Sequence, residues 1–184
     1  MVVETIRNEK EKLILKIYWD ELMCIEDIMH KSDPVQIYYE HQRCKFGLNL
    51  IEPREFYDED GLIKWLKDEK GVKTWKKLYA YEHGGITVRT GETNPFNCQW
   101  DSGQVGFATS TEENDEQSID SLVKELDMLL RGQIYGVKVF RITKCDLGHE
   151  HEEEIDSLWG IWDSTYKYKW CEAEAKGIGW IPVS

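Results

Sequence analysis

Hydrophobic residues that favour strands are concentrated in several short stretches of the chain bounded by polar or turn residues, which is the pattern of β-strands. These stretches are VQIYYEH at 35–41, KLYAYEH at 77–83, GITVRT at 85–90 and QVGFATS at 104–110. Glycines and the pair Asn94 and Pro95 separate the last three, as turn residues do. We therefore predict one strand from the first stretch and an antiparallel set from the other three.

Helical periodicity is clearest over residues 118–131, where apolar side chains recur at three and four residues and Gly132 follows as a stop. A shorter helix is predicted from Asp60, as its N-cap, to Gly71, as its stop. A third short helix is expected near residues 166–175.

The first 33 residues fit two patterns. Leu13, Leu15, Ile17 and Trp19 recur at every second position as in a strand, whereas apolar residues from Ile6 to Ile28 also fall roughly on one helical face. Good helix formers at residues 9–12 favour the helix. Residues 1–33 are therefore a helical or a strand-helix element, and the helix is the preferred interpretation.

Two further strands are predicted at residues 133–143 and 155–163, joined by an acidic loop around His149. No repeat and no low-complexity linker interrupts the 184 residues. These patterns predict a single α+β domain over residues 1–184, with a central, mainly antiparallel sheet and helices packed on one face.

Composition fits a globular protein with a real core, because 41% of residues are hydrophobic and eight are Trp. The five Cys are scattered, and we find neither a secretory segment nor an apolar stretch of the roughly 20 residues that a membrane helix needs. We expect a cytoplasmic protein with reduced thiols and no membrane contact.

The net charge of -12 is concentrated in two segments. Residues 111–128 and residues 146–156 each sum to -6, so the rest of the chain is balanced. This distribution disfavours direct binding to DNA or RNA and favours a basic partner, although a merely solvated surface is the alternative. The carboxylates expected to bind that partner are Glu112, Glu113, Asp115, Glu116, Glu150, Glu152, Glu153 and Glu154.

Three stretches share a motif pattern: YEHGGI at 81–86, NPFNCQWDSGQVGFA at 94–108 and IDSLWGIWD at 155–163. Together they resemble an uncharacterised family of small proteins carried by phages and mobile elements, whose pattern includes Trp-Asp-Ser-Gly-Gln-x-Gly. The family-like core covers residues 79–163. The resemblance implies an accessory role in phage growth, with counter-defence a leading possibility, and it implies no known activity.

A first constellation in these stretches has the chemistry of an activated nucleophile, since a His, a thiol and a carboxylate within hydrogen-bond reach would suffice. Its members are His83, Cys98, Asp101 and Ser102. The alternative is a polar turn at Asp101, Ser102 and Gly103, in which the Asp101 side chain bonds backbone amides and Gly103 supplies an unusual φ, while Trp100 and Phe107 pack beneath it.

A second constellation offers zinc-type ligands at Cys-x-x-x-His-x-His spacing, from Cys145, His149 and His151. An acidic, metal-free loop with exposed His side chains is the alternative. No phosphate-binding loop or dinucleotide fingerprint is found, so no cofactor is expected.

A third constellation is a small-molecule pocket lined by Asp156, Ser157, Trp159 and Gly160. The alternative is a buried strand with a close backbone approach at Gly160.

These observations favour a non-enzymatic phage protein that inhibits a basic, nucleic-acid-handling host defence protein of the CRISPR or restriction type. An enzyme is not excluded. The alternative is a counter-defence protein that binds or hydrolyses a nucleotide signal at His83, Asp101 and Asp156. The sequence does not indicate an oligomeric state.

Overall fold

A computed structural model describes residues 2–8, 12–40, 45–51, 58–162 and 181–182. Contacts divide the chain into two compact units: the first unit is residues 1–23 with 132–184, and the second unit is residues 24–131. The single domain stays a prediction, because compactness alone does not show whether either unit folds independently.

The strands are β1 (Val2–Asn8), β2 (Leu13–Trp19), β3 (Val35–Tyr39), β4 (Asn49–Leu50), β5 (Thr74–Glu82), β6 (Ile86–Thr90), β7 (Ser102–Ser110), β8 (Ile134–Lys144), β9 (Glu150–Trp162) and β10 (Ile181–Pro182). The helices are α1 (Ile25–Ile28), α2 (Glu59–Lys70) and α3 (Glu116–Leu130). The α+β class and the mainly antiparallel pairing are confirmed. The strands form two five-stranded sheets.

The sheet of the first unit has the order β10-β1-β2-β8-β9, and every pairing in it is antiparallel. Its apolar cluster includes Ile6, Leu15, Ile17 and Val137. The preferred helix over the N-terminal residues is therefore wrong for 2–8 and 13–19, which form the paired strands β1 and β2 with Ile6 opposite Leu15. Burial of alternate side chains overrides the local helix propensity, and among the described residues up to 33 helix appears only in α1.

The hairpin β8–β9 is much tighter than the acidic loop predicted there. Residues 145–149 make the turn, in which the amide of Cys145 donates to the carbonyl of His149 at 3.0 Å. From Glu150 onward the acidic residues belong to β9, with Glu150 opposite Lys144. Opposite charges on neighbouring strands stabilise such a pairing, so an acidic sequence is compatible with a strand here.

The sheet of the second unit has the order β4-β3-β7-β5-β6, with one parallel pair, β3–β4. Side chains alternate between its faces: Ile37 packs in the cluster that contains Leu122 and Leu126 of α3, whereas Tyr38 packs with Leu62 of α2. The two long helices therefore lie on opposite faces of this sheet, and not on one face as expected.

Capping explains where α2 begins and ends. Its N-cap is Asp58, whose carboxylate accepts from the amide of Gly61 at 2.8 Å, two residues before the Asp60 predicted. Gly71 ends it as predicted, with φ 67, a left-handed conformation that suits glycine.

The predicted helix at 118–131 is confirmed as α3. The helix expected near residues 166–175 lies outside the described residues. Within the described ranges, no helix has the length and apolar character needed to cross a membrane.

Candidate functional site

Strand pairing brings the first constellation together. His83 directly follows β5, and Ser102 opens β7, which pairs with β5 so that Tyr81 is opposite Ser102. The amide of Glu82 donates to the carbonyl of Asp101 at 2.7 Å and fixes the two segments to each other. All four residues expected at this site therefore lie at one end of the β5–β7 pair, which we call the Asp101 site.

One carboxylate oxygen is the centre of the Asp101 site. Oδ2 of Asp101 is 3.4 Å from Nδ1 of His83, and the thiol of Cys98 donates to the same oxygen at 3.6 Å. The hydroxyl of Ser102 donates to the carbonyl of Cys98 and accepts from Nδ2 of Asn94 at 2.9 Å. The His83 side chain is 73% exposed.

This geometry favours a His–Asp pair over an activated thiol. A carboxylate beside Nδ1 favours the tautomer protonated there, which leaves Nε2 of His83 able to accept a proton. The thiol of Cys98 bonds to Asp101, and the hydroxyl of Ser102 is committed to a backbone carbonyl. The group available for acid-base chemistry is therefore the imidazole.

The polar-turn alternative is wrong in three details. Gly103 belongs to β7 and has no positive φ. The side chain of Asp101 contacts the side chains of His83 and Cys98, where backbone amides were expected. Trp100 does not pack beneath the turn, because it is 93% exposed, whereas Phe107 is buried. Sequence reasoning missed this exposed indole, since Trp usually signals a core.

Rings surround the Asp101 site on its strand side. Tyr81 stacks on His83 with the ring centres 6.2 Å apart and on Phe96 with the centres 5.7 Å apart. The guanidinium of Arg89 lies 5.4 Å from the centre of the Phe96 ring. The imidazole therefore lies beside Tyr81, at the edge of this group of rings.

The first acidic segment comprises Glu112, Glu113, Asp115 and Glu116, at the other end of β7 from the Asp101 site. Hydrogen bonds hold its backbone: the hydroxyl of Thr74 donates to the carbonyl of Glu112 at 2.8 Å, and the amide of Thr111 donates to the carbonyl of Pro34 at 3.0 Å. The hydroxyl of Ser110 donates to Asp115 at 2.7 Å and lowers the pKa of that carboxyl. The segment is therefore a fixed loop.

The other three carboxylates of this segment form no ion pair within the part of the chain that the structure describes. Glu112, Glu113 and Glu116 are exposed, and none of them forms an ion pair with any residue that the structure describes. Glu113 and Glu116 line an open groove of about 610 Å³ together with Lys67, Lys73 and Trp75. Lys67 lies over the Trp75 ring, with Nζ 4.2 Å from its centre, and forms no ion pair with these glutamates.

The second acidic segment, Glu150, Glu152, Glu153 and Glu154 on β9, differs in this respect. Three of its carboxylates pair with lysines of its own sheet: Glu150 with Lys144 at 3.4 Å, Glu154 with Lys138 at 2.7 Å, and Glu152 with Lys16. Only Glu153 lacks an ion pair within the described ranges. The free anionic surface expected here is thus mostly neutralised.

The zinc constellation is not assembled. No three His, Cys, Asp or Glu side chains among the described residues are grouped to hold a metal ion. Cys145 and His149 close the β8–β9 turn through their backbones, and His151 lies on β9 opposite Thr143.

The third constellation belongs to an exposed strand. Trp159 lies over Gly136, where an added Cβ would be 2.0 Å from the indole, and its ring is 6.1 Å from that of Tyr18. The close approach expected at Gly160 thus occurs at Gly136, and the buried-strand alternative is wrong for Trp159, which is exposed. Asp156 is in the first unit, whereas His83 and Asp101 are in the second.

No family model matches the chain, and no curated protein or solved structure matches it either. The phage-family resemblance stays a prediction that depends on the motifs. Two of the three motif stretches, 81–86 and 94–108, meet at the Asp101 site, and residues 155–162 of the third lie on β9.

Proposed function

We propose that this chain is a non-enzymatic accessory protein of a phage or mobile element, which binds and inhibits a basic, nucleic-acid-handling defence protein in the cytoplasm of a bacterial host. The first acidic segment makes the contact. Arginines and lysines of the partner, which otherwise hold phosphates, bind the carboxylates of this segment.

The observation that carries the proposal is the contrast between the two acidic segments. Glu112, Glu113 and Glu116 are exposed and unpaired within the described residues, whereas three glutamates of β9 contact lysines. Ion pairs already formed within a protein must be broken before the same groups bind a partner. Binding a partner through the first segment therefore costs less free energy than binding it through β9.

Rigidity supports the same assignment. The loop is fixed by Thr74, Ser110 and Pro34 before any partner arrives. A preorganised loop loses less conformational entropy on binding, so more of the electrostatic attraction appears as affinity.

The test is capture of a partner from host lysate on the immobilised protein, followed by inhibition of the activity of that partner. The triple variant Glu112→Lys, Glu113→Lys, Glu116→Lys is expected to lose capture and inhibition. A matched control, Asp68→Lys, Glu69→Lys, Glu92→Lys, changes the net charge equally at exposed positions outside the groove. Equal capture by both triple variants, or by neither, contradicts the proposal.

A second candidate function is binding or hydrolysis of a nucleotide signal at the Asp101 site. The contact of His83 with Asp101 favours it, because it leaves Nε2 of the imidazole available as a base. The exposed Trp100 offers a ring for base stacking. The participation of Asp156 in this candidate site stays a prediction.

Incubation with cyclic dinucleotides and with linear nucleotide messengers tests the second candidate. Tight retention or turnover by the wild-type chain, lost in His83→Ala and in Asp101→Asn, is the result expected of such a site. If the wild type shows neither retention nor turnover, the second candidate is wrong. The inhibitor proposal is unaffected by that result.

A further inference from the structure

A groove of about 360 Å³ lies on the second unit, between α3 and residues 28–35. Its apolar wall includes Ile28, Val35 and Leu122. Two carboxylates, Asp33 and Glu125, line it as well, and we call it the Glu125 groove. Its volume falls within the roughly 300–1,000 Å³ that is usual for ligand sites in proteins.

The charge that lines the Glu125 groove has one sign. Asp33 and Glu125 carry it, and no Lys, Arg or His lines the groove among the residues that the structure describes. The larger groove beside the first acidic segment differs, because Lys67 and Lys73 line it too. A cation that enters the Glu125 groove therefore meets attraction and no repulsion from these lining residues.

The carboxylate of Glu125 forms neither a hydrogen bond nor an ion pair with any residue that the structure describes. Although Glu125 is exposed, loss of solvent around its carboxyl raises the pKa of that group. Removing solvent from a carboxylate without giving it a partner costs free energy, and a bound cation offsets that cost.

The second carboxylate is held in place from the loop side of the groove. The amide of His30 donates to Oδ2 of Asp33 at 2.6 Å, and the amide of Asp33 donates to the carbonyl of His30 at 3.0 Å. An acceptor that is fixed in advance loses little conformational entropy when a ligand binds.

This combination of apolar wall and acidic acceptors matches an arginine side chain. The methylenes of arginine lie along apolar surface, such as that of Leu122, while the guanidinium carries the charge. The guanidinium is a planar group of N–H donors, which suits two carboxylates and the nearby hydroxyl of Ser121 better than the point charge of a lysine does.

We propose that the Glu125 groove binds one arginine side chain of the basic partner, with its stem against the apolar wall and its guanidinium on Glu125 and Asp33. The inference rests on the proposed function. Gln117 lines the groove and directly follows Glu116, the last residue of the first acidic segment. A partner bound to that segment is therefore beside the groove.

A titration with N-acetyl-arginine methylamide, followed by amide NMR of the full chain, tests the groove without the partner. The signals of residues 117–125 are expected to shift, and the uncharged N-acetyl-citrulline methylamide should shift them much less. Glu125→Gln should weaken binding about tenfold. The control Glu69→Gln, at an exposed position on α2 outside the groove, should leave it unchanged. No shift in the wild type, equal shifts by the citrulline probe, or unchanged affinity in Glu125→Gln overturns the inference.

Capture of the partner from host lysate separates this inference from the proposed function. Glu125→Gln is expected to lower the affinity for the captured partner about tenfold, whereas the triple variant Glu112→Lys, Glu113→Lys, Glu116→Lys loses capture. Loss of capture in the triple variant, with wild-type affinity in Glu125→Gln, overturns the arginine site alone. Capture that survives in the triple variant contradicts the proposed function, and the probe titration still decides whether the groove binds arginine.

Discussion

Lys138 on β8 and Glu154 on β9 form an ion pair across the sheet of the first unit, with Nζ of the lysine 2.7 Å from Oε2 of the glutamate. Both side chains are partly exposed. The same relationship joins Lys16 to Glu152. Runs of acidic residues that look alike in the sequence therefore differ in the fold, because the neighbouring strand β8 supplies Lys138 and Lys144 to β9, and β2 supplies Lys16 from a distant position in the chain.

We predict that Lys138→Met lowers the free energy of unfolding by about 0.5 kcal/mol at low salt, as is usual for a solvent-exposed pair. A double-mutant cycle with Glu154→Gln, measured by urea unfolding, should show a coupling that salt removes. Lys124→Met on α3 is the control, since Lys124 is exposed and forms no ion pair within the described residues. A coupling that persists at high salt contradicts the prediction.

Gly106→Ala is expected to destabilise the second unit by roughly 2–3 kcal/mol, because an added Cβ would lie 2.1 Å from the backbone carbonyl oxygen of Tyr38. Backbone on the neighbouring strand cannot move aside as a flexible side chain does. Gly103→Ala on the same strand meets nothing within 4 Å and should leave stability nearly unchanged. Thermal unfolding of both variants checks this, and equal losses would refute the packing of β3 against β7.

The Lys45 ammonium contacts Glu26 and lowers the pKa of that carboxyl from 4.5 to about 2. A folded-state pKa below the unfolded value stabilises the fold above pH 4.5, and this contribution disappears as the pH falls to about 2. Lys45→Met should therefore lower the melting temperature most above pH 5 and least near pH 2.

Lys31→Met is the control for the pH prediction, because Lys31 is exposed and has no ion pair in the described part of the chain. Its melting temperature should follow that of the wild type at every pH. A difference between Lys45→Met and the wild type that does not change with pH would contradict the assignment of the low pKa to Lys45.

Trp100→Ala should change the free energy of unfolding by less than about 0.5 kcal/mol, because the indole is 93% exposed. Phe107→Ala, at a residue 2% exposed, should cost about 3–5 kcal/mol. Chemical denaturation of the two variants separates a surface indole from a core phenyl ring. A large loss for Trp100→Ala would restore the interpretation in which it packs beneath the turn.

The sequence predicted the elements whose periodicity is strong and locally capped. The repeat at Ile119, Leu122 and Leu126 specifies α3, and Gly71 ends α2, since both signals act within a few residues. The N-terminal hairpin was misread, because the choice between strand and helix depends on a partner strand, β8, more than 100 residues away. Local propensity contains no information about that partner.

The candidate sites were predictable in part. His83, Cys98, Asp101 and Ser102 were expected together, and the β5–β7 pairing does bring them together. The neutralisation of Glu152 by Lys16 could not be predicted, because residues so distant in sequence become neighbours only through sheet order. The exposure of Trp100 could likewise not be predicted, since the type of a side chain does not determine whether it is buried.

The dissociation constant of the captured partner, measured against NaCl concentration, tests the central claim most directly. The account predicts that wild-type affinity falls at least about tenfold between 50 and 300 mM NaCl. At 50 mM, the Glu112→Lys, Glu113→Lys, Glu116→Lys protein should bind roughly 100-fold more weakly than wild type, with most of the salt dependence gone. If that triple variant bound with the affinity and the salt dependence of the wild type, the result would contradict the central claim.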